Sequence, residues 1–207
     1  IAFQEAINDC QETGRILLIE TGTYVITDRI EITHPIEIRG TGVENCILKF
    51  TTVTANPTSP FDDTWWEESN AVFSVQYDDV RFSNFTLQGS DECEWNGFIF
   101  HFPHPNAENS YAAGGRSTIS DVNIKKMKNG IFIFAGWNRR FERVYITDCV
   151  DSGIKYKGLM DTLNWSCSGD IIEACSTVGC NYGLYLDKAF EMDVKHCIFE
   201  YNHIAIY

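Results

Sequence analysis

Carboxylates crowd the last third of the chain: Asp161, Asp170, Glu173, Asp187 and Glu191. Two carboxyl groups held at a set distance can cleave a glycosidic bond, one protonating the leaving oxygen and the other serving as base or nucleophile. Asp187, Asp161 and Glu173 are the candidate catalytic acids, and Asp187 leads because it closes the strand pattern "YGLYLD". A second chemistry, proton abstraction beside a uronate carboxyl, asks for a base and a cation. Lys155, Arg139, Arg140, Tyr185 and His101 offer both. Flat rings that could lie against sugar C–H faces occur at Trp65, Trp66, Trp95, Trp137 and Trp165. Trp65, Trp137, Arg139, Arg140, Tyr185, Lys155 and His101 form the candidate binding set. His101 and His104 lie three apart across a Pro with no acid at ligand spacing, so no metal site is expected.

Such groups act only if something rigid spaces them, and the chain repeats itself. "NGFIF" at Asn96, "NGIFIF" at Asn129, "SGIKY" at Ser152, "YGLYL" at Tyr182 and "IAIY" at Ile204 align on Gly97, Gly130, Gly153, Gly183 and Ala205. Short strands recurring every 22 to 33 residues without a helix between them predict the coils of a solenoid. Alternation then sorts the side chains. Phe98, Phe100, Ile131, Ile133, Ile154, Tyr156, Leu184 and Leu186 point inward; Ile99, His101, Phe132, Phe134, Lys155, Lys157, Tyr185 and Asp187 point outward. The glycines are expected to make tight corners at positive φ. One coil step is about 4.8 Å, so acids one step apart suit retention of configuration and acids two steps apart suit inversion.

The opening residues carry a different pattern. Phe3, Ala6, Ile7 and Cys10 give a short amphipathic helix that Gly14 ends, and "RILLIE", "TYVI", "RIEI", "PIEIRG" and "CILKF" follow as strands. This stretch resembles the start of the pectate-lyase-like single-stranded right-handed β-helix superfamily, found in phage tailspikes and capsule depolymerases. There a capping helix, a Gly-x-Tyr turn and a Gly-x-Gly turn recur; here they are Ala2 to Glu12, Gly22 to Tyr24 and Gly40 to Gly42. The Pro that commonly precedes the Gly-x-Tyr turn is replaced by Glu20 and Thr21.

The expected fold is therefore all-β: a right-handed parallel β-helix whose cap and first strands span 1–50 and whose remaining coils span 51–207, with insertions at 51–69 and 101–116. The resemblance implies a tailspike-like depolymerase that binds and cleaves bacterial capsule or O-antigen, a homotrimer located on a virion tail or outside the cell. A uronate lyase and a non-catalytic glycan-binding β-helix are the alternatives, with secretion as the alternative location. No cofactor is expected. The helix pattern starts at Ile1 without an N-cap and Tyr207 ends in mid-strand, so a trimmed part of a longer chain is expected.

Composition narrows the partners. A net charge of −13 over 207 residues disfavours nucleic acid, and no stretch is long and apolar enough to cross a membrane. Eight scattered cysteines without a CxxC pair read as buried free thiols ahead of disulfides or a metal site.

Overall fold

The computed structural model describes residues 2–52, 70–101, 115–134, 136–157 and 167–207. Both expected insertions, apart from their edges, lie outside these residues, as does 158–166. Among the described residues every strand pairing is parallel, and the pairs join strands one coil apart. The chain is a right-handed parallel β-helix, the hand that parallel crossovers take almost without exception.

Three sheets run along the axis. The second holds seven strands: Ile30–Ile32, Ala71–Val75, Asn96–Phe100, Ile131–Ile133, Ser152–Lys157, Tyr182–Asp187 and Ile204–Ile206. The third is small, with Gly136–Trp137, Cys167–Ser168 and Ala189–Phe190. The first, of twelve strands, bends around the remaining side; in Arg81–Gln88 and Thr118–Lys125 one strand runs through the bend, whereas later coils break there.

The predicted interior row exists. Phe98 pairs with Ile131, Ile131 with Ile154 and Ile154 with Leu184, and all four are buried in one core cluster. Rings of Phe73 and Phe98 stack at 5.1 Å inside it, with Phe82 edge-on to Phe98 at 4.9 Å.

The glycine expectation needs correcting. Gly97, Gly130, Gly153 and Gly183 are absent from the positive-φ set; they are small because coils approach closely. A Cβ on Gly130 would stand 2.7 Å from the Gly153 carbonyl oxygen, and one on Gly153 would stand 2.8 Å from that of Gly183. Positive φ falls elsewhere, mostly in three axial lines. Asp79, Arg116, Asn138, Gly169 and Glu191 turn the chain into the first sheet; Asn84, Asp121, Arg143, Ala174 and His196 make its bend; Lys126, Asp148, Gly179 and Tyr201 turn the chain out of it.

The helix Ala2–Thr13 closes one end, burying Ile7 and Cys10. Its Gln4 side chain behaves like a neighbouring strand: the amide nitrogen donates to the Glu31 carbonyl at 3.0 Å, and the amide oxygen accepts from the Glu31 N–H at 2.8 Å. That pairs Glu31 at the free edge of the second sheet, an edge that otherwise invites pairing with another chain.

Candidate functional site

The outer face of the second sheet is sorted along the axis. At the helix end, Ser74 Oγ lies 2.8 Å from His101 Nε2 and accepts from the Arg29 guanidinium at 2.9 Å. Gln76 donates to Glu31 at 2.5 Å beside them. Ile99, Phe132 and Phe134 occupy the middle and form with Ala71 a second apolar cluster outside the core. They point outward as alternation predicts, yet they are buried, so the outward columns are not uniformly solvent-facing.

The far end is polar and aromatic. Lys155 reaches Asp151 at 2.8 Å, and its ammonium lies over the rings of Phe132 at 5.5 Å and Tyr185 at 5.4 Å. Tyr185 stacks on Tyr207 at 4.9 Å, and Tyr182 meets both edge-on. Burial, followed by the negative charge of Asp187, raises the Tyr185 phenol above its ordinary value against a smaller opposing effect of Lys155. Asp187 closes the same strand, half-buried, with Lys157 as its register partner one coil away.

The other candidates separate from this end. Glu173 lies on the first sheet in Ile171–Glu173, 2.6 Å from Arg140, which also holds Glu142 at 3.2 Å. Glu142 and Glu173 are register neighbours, but Arg143, joined by Arg140, holds the Glu142 carboxyl below its usual range. This is a charge ladder tied at both ends, and it does not bring Glu173 to Asp187.

Arg139 must be removed from the binding set. Its side chain is fully buried, with Nε 2.8 Å from Asp170 Oδ2, and its backbone N–H donates to Asp170 Oδ1 at 2.9 Å. Tyr156 donates its hydroxyl to the same carboxylate at 3.0 Å. His101 is also removed from solvent, at 2% exposure. Trp137 sits on the third sheet, partly open. Asp161 and Trp65 lie outside the described residues.

Sequence reasoning missed Phe190, exposed on the third sheet two coils from Trp137 through Ser168. The signal was present: 31 and 22 residues separate Trp137, Ser168 and Phe190, within one residue of the 30 and 22 that space Gly153, Gly183 and Ala205. It also missed Asp78, whose carboxyl accepts from the Gly115 N–H at 2.8 Å and is raised above its ordinary value, chiefly by burial. Among the described residues no cluster of three or more His, Cys, Asp or Glu has the geometry to hold a metal.

No protein-family profile and no curated protein sequence matches the chain. Solved structures do. The chain superposes on Geobacillus virus E2 ORF18 with a TM-score of 0.74 and 19% identity, covering 96% of this chain and 38% of that one. The catalytic domain of a GH87 alpha-1,3-glucanase in complex with nigerose gives 0.61 and 12%, covering 98% and 32%. The Agl-KA catalytic domain gives 0.54 and 14%, covering 96% and 39%. This chain thus spans between about a third and two fifths of the length of these three structures. At these identities the likeness speaks to architecture, and it places the chain with the right-handed parallel β-helices.

Proposed function

We propose that this chain is the β-helical portion of a phage-associated enzyme that cleaves a polysaccharide by hydrolysis, with bacterial capsule or O-antigen as the substrate class. The observation that carries the reading is the position of Asp187. It ends an outward column of the second sheet, follows Tyr185 and Lys155 on the same surface, and stands three residues before the exposed Phe190. A carboxylate beside rings and hydrogen-bonding groups on a rigid scaffold fits glycan binding and cleavage. The likeness to a viral protein and to glucanase catalytic domains supports the phage and glycan parts of the proposal.

The partner carboxyl in this reading is Asp161, four residues beyond Lys157, the register neighbour of Asp187. One of the two protonates the glycosidic oxygen as the bond to the anomeric carbon breaks. The other either takes that carbon directly or draws the proton from an attacking water. Tyr185 and Lys155 contact the sugar, and the upward shift of the Tyr185 phenol by burial and Asp187 makes it less available as a base than a free phenol. That same shift weighs against Tyr185 as the base of the lyase alternative, among its candidates Lys155, Arg139, Arg140, Tyr185 and His101.

Incubation with a panel of capsular and O-antigen polysaccharides tests the proposal. New reducing ends without the absorbance of an unsaturated uronate are expected; that absorbance would indicate a lyase, and binding without cleavage would leave a glycan-binding β-helix.

A further inference from the structure

Two cysteines stand against each other where the chain leaves the first sheet. Thr147 pairs with Val178 in parallel register, Asp148 and Gly179 then turn at positive φ, and Cys149 and Cys180 follow at the same place in successive coils. Their Cα atoms are thereby set one coil step or about 4.8 Å apart, inside the span of about 4.4 to 6.8 Å that a disulfide bridges. The side chains agree with the backbone. Each thiol leans toward the carbonyl two residues back in its own coil, Cys149 to Thr147 at 3.9 Å and Cys180 to Val178 at 3.7 Å, and the two thiols hydrogen-bond each other.

The pair lies within the stack of coils. Lys125 pairs with Thr147 and Val178 with Glu200, so Met127 precedes the two cysteines in their column and Asn202 follows them, its Oδ1 accepting from the Cys180 N–H at 2.9 Å. Both thiols are buried, and their closeness owes nothing to either end of the sequence. Cys175 and Cys197 are also one coil apart, between the pairs Glu173 with Lys195 and Ser176 with Ile198. Those thiols, however, donate across to the preceding coil, to the Phe141 and Ile172 carbonyls at 3.4 Å, which turns them to the backbone. The bond between Cys149 and Cys180 also makes its partners unequal, lowering the Cys180 thiol and raising that of Cys149. Cys180 is the readier nucleophile of the two.

We propose that Cys149 and Cys180 form a redox-sensitive clasp, open as thiols in a reducing compartment and closed as a disulfide where a small-molecule disulfide is present. The Cys180 thiolate attacks one sulfur of that molecule and expels a thiolate; the Cys149 thiolate then attacks the Cys180 sulfur of the mixed disulfide and expels the second. Two protein thiols are oxidised, the small disulfide is reduced to two thiols, and the two protons pass to the released thiolates. The new bond closes a loop across 31 residues and fastens Ser152–Lys157, which starts three residues after Cys149, to Tyr182–Asp187, which starts two after Cys180. Those strands carry Lys155, Tyr185 and Asp187, so closure holds that surface in register. The clasp stands whether or not the surface cleaves a glycan.

Protein purified with reductant and then exposed to oxidised glutathione, both in the native state and during refolding from urea, tests the clasp by mass spectrometry of alkylated, unreduced peptides. A Cys149–Cys180 linkage is expected as the main one by at least one of the two routes. The linked protein should show a higher urea midpoint than the reduced protein, since a cross-link constrains the unfolded chain, and dithiothreitol should reverse the rise. Both changes should vanish in Cys149→Ser and persist in Cys175→Ser, while the linkage in the unaltered protein needs no variant to fold. Cys180 held only as a mixed disulfide with glutathione, another pair as the main linkage, or no linkage by either route overturns the clasp. A linked protein whose midpoint does not rise overturns it as well.

Discussion

At Arg139 a guanidinium, a carboxylate and a phenol share one dry site, and each depends on the others. Taking one partner away leaves a charge buried without compensation, which costs about 3 to 5 kcal/mol, whereas replacing both with apolar residues of similar volume is close to neutral. Asp170→Asn should therefore lower unfolding free energy in urea by about that range, and the Arg139→Met, Asp170→Leu double variant should recover most of it. The pair was illegible in sequence because the two residues stand 31 apart and Arg139 adjoins the exposed Arg140; adjacent residues of one type carry no mark of which is inside. His101 misled for a similar reason: alternation points it outward correctly, but says nothing of what lies over that part of the sheet. The thiols were easier, since apolar neighbours announced burial. All eight cysteines are free and seven are buried; burial pushes Cys167 and Cys175 up to about 12. In native protein under a thiol-alkylating reagent Cys197, the half-buried one, should label first, with Cys167 and Cys175 reacting only on unfolding. Mass spectrometry of timed samples would show this, and early labelling of Cys167 would contradict the packing.

Among the elements, the second sheet was readable because a period of two, repeated five times, leaves one register that buries every inner residue. The bend of the first sheet was not. Its positive-φ line runs Asn84, Asp121, Arg143, Ala174, His196, five residue types with no glycine among them, and a left-handed residue with a Cβ carries a cost of about 1 to 2 kcal/mol that tertiary contacts must offset. Ala174 lacks even the local hydrogen bonding available to Asn or Asp. Ala174→Gly is thus expected to raise unfolding free energy by about 1 kcal/mol. Gly153→Ala should do the reverse, because its Cβ would meet Thr177 Cγ2 at 2.6 Å and the Gly183 carbonyl oxygen at 2.8 Å, an overpacking cost of about 1 to 3 kcal/mol. Chemical denaturation of the two variants checks both signs. Equal effects would mean that the corner lines and the close-packed glycines had been confused, as the sequence pattern alone confuses them.

For the whole molecule, exposed charge is arranged as ladders across coils. Arg143 joins Asp121 to Glu142, Arg140 continues to Glu173, and Arg116 holds Asp79. Hydrogen bonds from these guanidinium groups lower the Asp79, Asp121 and Glu142 carboxyls. Their stabilisation is therefore present above their ordinary values and is lost as pH falls through the lowered ones, below about pH 4. Half-buried Asp78 has the opposite sign and favours the acid side. The urea midpoint should drop between pH 5 and pH 3, less so in Asp121→Asn and less so in high salt, since exposed pairs are screened. How a glycan would lie on this surface was legible only in part: the repeat located Asp187 and Tyr185 on one face, while the third sheet, with strands of two residues, gave no alternation to read. The most direct test of the account compares the unaltered protein with Asp187→Asn on whichever surface polysaccharide it degrades, by release of reducing ends. Loss of at least about 100-fold in rate with an unchanged thermal midpoint is expected, and an Asp187→Asn variant that cleaves at the full rate would contradict the role given to Asp187.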